Sequence, residues 1–97
     1  MMETTGELCL GQIVSSKAGR DKDKVFAVVD IIDDKYVLIA DGDLRRIERP
    51  KKKKVKHLQK FNTVNDDLRK KLESGEKIEN IELQKDLEKS GIIWLKI

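Results

Sequence analysis

Cysteine, histidine and proline each occur once in this 97-residue chain, and aromatic residues make up only 4% of it. A lone Cys9 has no partner for an internal disulfide, and Cys9 with His57 falls short of the four-ligand set of a structural zinc site. A metal-free, intracellular chain is expected. No apolar run approaches the roughly 20 residues that span a bilayer. The start, Met1 to Glu7, lacks the basic segment and apolar block of a signal peptide. The expectation is a soluble cytoplasmic protein with no membrane partner. The length allows one domain with a modest core and excludes a large multidomain enzyme.

Catalytic groupings are also wanting. Gly6 and Gly11 have the spacing of a phosphate loop, but Gln12 and Ile13 stand where Lys and Ser/Thr must follow. His57 lies among lysines with no second catalytic group beside it, which suits a surface or strand histidine. Cys9, in a short apolar patch without a nearby cation, reads as a small buried side chain. Asp41 and Asp43 flank Gly42 between two strand-like segments, where turn chemistry explains them. The sequence therefore predicts a protein that is not an enzyme, with no cofactor, metal or small-molecule substrate.

Charge is what the chain has in quantity: 40% of residues are Asp, Glu, Lys or Arg, yet the net charge is only +3. Residues 1–40 are net -2 and residues 61–97 net -1, whereas residues 41–60 alone are +6. Clustered Lys and Arg neutralise phosphates and release condensed counterions, so this block has the form of a polyanion-binding surface.

The hydrophobic pattern gives the architecture. Gly11–Lys17 reads as a strand, followed by a polar loop over 18–24. Val25–Ile32 and Lys35–Ala40 are rich in β-branched residues and flank Asp33-Asp34, which indicates a hairpin. Asp41-Gly42-Asp43 supplies a turn into a strand over Leu44–Glu48; Pro50 ends it, and Lys51–Leu58 forms a fifth strand with Val55 facing inward. Five short antiparallel strands suggest a small closed or nearly closed barrel. The hairpin strands are apolar at nearly every position, so Phe26, Val28 and Ile32 on one face and Val25, Val29 and Ile31 on the other both need cover. The last third can provide it. Asn65 is placed to cap one helix that Gly75 stops, and Asn80 opens another that Gly91 stops. Leu68, Leu72, Leu83, Leu87 and Trp94 are expected to cover the barrel. The class is mainly β with C-terminal α, with a barrel over residues 7–60 and a helical extension over 61–97 packed on it.

Leu10-Gly-Gln-Ile-Val14, Lys17-Ala-Gly-Arg-Asp-Lys22 and Val25-Phe-Ala-Val-Val29 together resemble the KOW motif, a glycine-centred loop between two strands. The continuation from Tyr36 through Asp41-Gly42 and the lysine run to Leu58 extends the match. Residues 8–60 look like the bacterial KOW-domain RNA-binding proteins, similar to archaeal and eukaryotic large-subunit ribosomal protein fourteen. The resemblance implies an SH3-like barrel that binds RNA, ribosomal RNA above all, in the company of ribosomal proteins. It also shows a departure: the family usually has glycine where this chain has Asp23, which adds a negative charge at the loop tip.

Two cationic groups are candidates for the RNA contact. Lys17, Arg20, Lys22 and Lys24 form one; Arg45, Arg46, Arg49, Lys51, Lys52, Lys53, Lys54 and Lys56 form the other. Arginine grips phosphate with two donors or stacks on bases, so specificity is expected of Arg20, Arg45 and Arg46, and affinity of the lysines. Phe26 and Tyr36 lie inside apolar strands and read as core, leaving little on which to stack bases. Recognition of structured RNA by shape and backbone follows. SH3-like barrels also bind polypeptides, so a protein-interaction module of a transcription or translation factor is the alternative.

Overall fold

The β-branched and aromatic residues between Gln12 and Ala40 form three consecutive antiparallel strands, β1 (Gln12–Ser16), β2 (Val25–Ile31) and β3 (Tyr36–Ala40). In the computed structural model, which describes residues 8–17 and 19–89, β4 (Lys51–Lys54) and β5 (Leu58–Val64) complete the sheet, and α1 (Asp66–Ser74) and α2 (Asn80–Lys89) follow. The strand order is β4-β3-β2-β1-β5. The chain thus meanders through four strands and returns, by one 3-10 turn at Val55–His57, to pair β5 with β1. This is the mainly β architecture expected from the sequence: a small barrel-like sheet of five antiparallel strands with two C-terminal helices.

Two apolar clusters share the strands. Val14, Phe26, Val28, Val37, Ile39 and Leu58 fill the barrel, with Val55 and Ile31 packed against them. On the other sheet face, Ile13, Val25, Ala27 and Ala40 pack against Leu68, Leu83 and Leu87 of the helices, with Leu72 and Val29 alongside. Nine- and ten-residue helices are below the length that holds in water alone, so burial makes them. Each fully buried leucine contributes about 1.5–3 kcal/mol. Trp94 and Gly91, also expected to contribute, lie outside the described residues.

The register of β2 departs from the expected alternation. Val28 pairs with Ile39 and Asp30 with Leu38, so the ladder shifts by one residue at Val29. The bulge turns Ile31 into the barrel cluster and leaves Ile32 46% exposed, reversing the two faces assigned to them. The β2–β3 connection is also longer than Asp33-Asp34 alone. The Tyr36 carbonyl accepts from Ile32 and Asp33 N–H, and the Asp33 carboxylate accepts from Lys35 and Tyr36 N–H.

Leu44–Glu48 is not a strand. The Asp41 carboxylate accepts the N–H groups of Asp43 and Arg45, and the Arg45 carbonyl accepts from Asp41 and Gly42. Ile47 N–H donates to the Asn80 side chain instead of a ladder, and Leu44 stands exposed. Lys51–Leu58 likewise breaks at the 3-10 turn, and the fifth strand continues past residue 60 to Val64. Leu58, Phe61 and Val64 recur every third residue, which masks a strand, because a bulge lets Lys60 and Val64 oppose Val14 and Gln12. Gln12 is buried at this bulge, and its amide donates to the Phe61 and Thr63 carbonyls at 2.6 and 3.2 Å.

Both helices begin against a turn that only glycine allows. Asn65 caps α1, its side-chain oxygen accepting from Leu68 N–H at 3.0 Å. At Gly11 (φ 82°) a Cβ would crowd the Asn65 carbonyl and Arg69, and at Gly42 (φ 84°) it would collide with the Asn80 carbonyl. The two glycines seat the first turns of α1 and α2 on the barrel.

Candidate nucleic-acid interface

The β1–β2 loop and the β3–β4 loop meet at one end of the barrel. Asp21, buried in the first loop, accepts from Arg45 Nε and Nη2 of the second at 3.1 and 2.9 Å. Arg45 is therefore partly buried and its guanidinium serves as a clasp between loops, while Arg46 and Arg49 from the same loop are exposed. Arg46 lies 3.6 Å from the Glu48 carboxylate. Arg20, Lys22 and Lys24 are exposed in the first loop.

The β4 lysines join this end from the sheet edge. A Cβ on Gly19 would lie 3.7 Å from Lys53 Nζ, so the strand reaches the glycine of the first loop. Lys53 and Lys51 oppose Val37 and Ile39 and share the barrel-facing side; Lys52 and Lys54 oppose Leu38 and Tyr36 on the outer side. Lys17 N–H donates to the His57 carbonyl at 2.8 Å, which holds exposed Lys17 beside the turn that carries exposed Lys56. Of the twelve candidate cations, those of the two loops and Lys53 are thus brought together at one end of the barrel, while Lys52 and Lys54 lie on the opposite face of β4 from Lys51 and Lys53. Eight are exposed; Arg45, Lys51, Lys53 and Lys54 are partly buried.

Acidic residues are interleaved. Asp23 has φ 69° and is exposed. A left-handed backbone at this point explains why glycine would suit it, and Asp tolerates the conformation better than most residues do. Glu48 accepts from Asn80 Nδ2 at 3.0 and 2.9 Å. That hydrogen bond above all holds its carboxyl below the usual carboxylate range, with its own backbone N–H and Arg46 adding to the effect. Asn80 also accepts from Ile47 N–H, and Gln84 donates to the Gly42 carbonyl, so α2 pins the basic loop.

Tyr36 is not core. Its ring is half-buried, with Lys52 Nζ 4.6 Å and Lys54 Nζ 5.9 Å from its centroid. Phe26 is fully buried, as expected. Cys9 is partly buried, its thiol 3.9 Å from the Gln12 side-chain oxygen, and His57 is exposed. Asp41 has the turn role expected of it. Among the described residues no group of three or more His, Cys, Asp or Glu is placed to hold a metal ion, and no helix is long and apolar enough to cross a membrane.

No family model matches the chain, and no curated protein matches it.

Proposed function

We propose that the protein is a non-catalytic RNA-binding protein of the translation apparatus that holds ribosomal or other structured RNA by its phosphates. The observation that carries this reading is the stitching of three separate cationic segments into one surface. Asp21 joins the loops of Arg20 and Arg45, and Gly19 receives the Lys53 arm. Cations on a scaffold fixed in this way lose little entropy on meeting a phosphate backbone. The resemblance of residues 8–60 to KOW-domain proteins supports the same reading, with ribosomal proteins as neighbours and the cytoplasm as its compartment.

The test is the salt dependence of binding to a ribosomal RNA hairpin, followed by fluorescence anisotropy. Affinity should fall steeply with salt, with a log–log slope of about -0.9 for each duplex phosphate contacted. Replacing Arg20, Lys22, Arg49 and Lys56 by Ala should flatten that slope by about 1 per residue. A flat response in the native protein overturns the proposal and leaves an RNA-independent protein partner as the better account.

A further inference from the structure

Resting on the RNA-binding reading, we infer that Tyr36, Lys52 and Lys54 form a subsite for one unpaired nucleotide, its base stacked on the Tyr36 ring and its flanking phosphates held by the two lysines. The sequence pattern suggested no stacking surface, because Tyr36 falls within an apolar strand. The sheet geometry shows otherwise. Tyr36, Leu38 and Ala40 alternate onto the face that the helices cover, and that cover runs out along β3. Ala40 is fully buried beneath the leucines of α2, whereas Leu38 and Tyr36 are only half-buried. The ring thus lies at the uncovered end of an otherwise packed face.

What occupies that end is cationic. Lys54 sits directly opposite Tyr36 and Lys52 one pair further along the same face, and both ammonium groups stand over the ring. Of the nearby acids, Asp33 has its carboxylate turned to the N–H groups of Lys35 and Tyr36, and Asp30, opposite Leu38 on the same face, accepts from Ile31 N–H. A ring whose π face is open to mobile cations, on an edge strand, combines the two elements of single-strand recognition: a stacking platform and flexible phosphate binders. An exposed cation–π contact is weaker than a stacked base, so a base displaces the ammonium groups from the ring and leaves them free to reach phosphates on either side. The RNA expected is a structured one with a nucleotide unstacked in a loop or bulge.

Tyr36 is the only tyrosine in the chain, so its ring protons report on this position alone. The experiment titrates the native protein with oligo(U) and oligo(A) of about eight nucleotides, and with a short blunt RNA duplex, while following those protons by NMR. The expected result is an upfield displacement with the oligonucleotides and little movement with the duplex. Tyr36→Leu should weaken oligonucleotide binding at least about fivefold, and Tyr36→Phe should stay within about twofold of the native protein. Both should bind the duplex unchanged. Should Tyr36→Leu fail to fold, Lys52→Gln with Lys54→Gln tests the same site, keeping the ring and weakening oligonucleotide binding. Saturation by an oligonucleotide with the Tyr36 signals unmoved overturns the inference. Duplex binding without oligonucleotide binding removes the subsite and leaves the proposed function standing; binding to neither removes both.

Discussion

Arg45 grips the buried Asp21 carboxylate through two guanidinium nitrogens, and so fixes two loops that are distant in sequence at the same end of the barrel. The pair is unequal. Asp21 is enclosed, while the Arg45 side chain is 31% exposed and can turn to water. Arg45→Ala strands a buried carboxylate and should cost about 2 kcal/mol or more, whereas Asp21→Ala should cost about 1 kcal/mol. Urea unfolding of the two variants checks the order; equal losses would mean that the carboxylate is hydrated without its partner.

The helices and the barrel should unfold together. Leu83 is fully buried in a cluster that also holds Ile13, Val25 and Ala27 of the sheet. Leu83→Ala is expected to lose about 2–5 kcal/mol, in the range of a barrel-core truncation. Circular dichroism and the tyrosine signal should report one shared transition. Two separated transitions would show that the helices are an independent layer.

Asn80 should couple acid titration to the basic loop. Glu48 has its pKa lowered in the folded protein, first by the Asn80 hydrogen bond. A lowered carboxylate stabilises the fold above its unfolded pKa, and that contribution disappears as pH falls through the folded value. Asn80→Ala should raise the Glu48 pKa toward the ordinary range, and its stability deficit should be larger at neutral pH than in acid. Carbon-detected NMR of the Glu48 carboxyl gives the first quantity and unfolding at two pH values the second.

Gly42→Ala should be more damaging than Gly19→Ala. Both positions have positive φ, which costs an L-residue about 1–2 kcal/mol. Only at Gly42 would the new Cβ also strike backbone, the Asn80 carbonyl; at Gly19 it would meet the movable end of Lys53. Thermal melts of the two variants should differ by the cost of displacing α2.

Much of this arrangement is legible in the residues themselves. The doubly apolar β2 demanded cover on both faces, and Asn65, Leu68, Leu83 and Leu87 were recognisable as the cap and inner face of the cover. The segment 44–48 misled because its backbone partners, the Asp41 carboxylate and Asn80, lie outside it. Strand β5 was hidden by a bulge that stretches its apolar spacing to three. In the candidate site, the charge block was plain from local counting. The use of Arg45 as a clasp and the incomplete burial of Tyr36 were not, since both depend on contacts between segments that no local pattern encodes.

The bulge at Val29 has a consequence for the chain's tolerance of changed length. Around it, Val28 still faces Ile39 and Ile31 still faces Val37, with Asp30 held outward against Leu38. Removing one valine of the Val28-Val29 pair would leave those three pairings in a regular ladder, whereas a one-residue deletion in a strand without such a bulge exchanges inside for outside beyond it. An extra residue that looks like an interruption is therefore a point where β2 can be shortened without drawing the Asp30 carboxylate into the barrel.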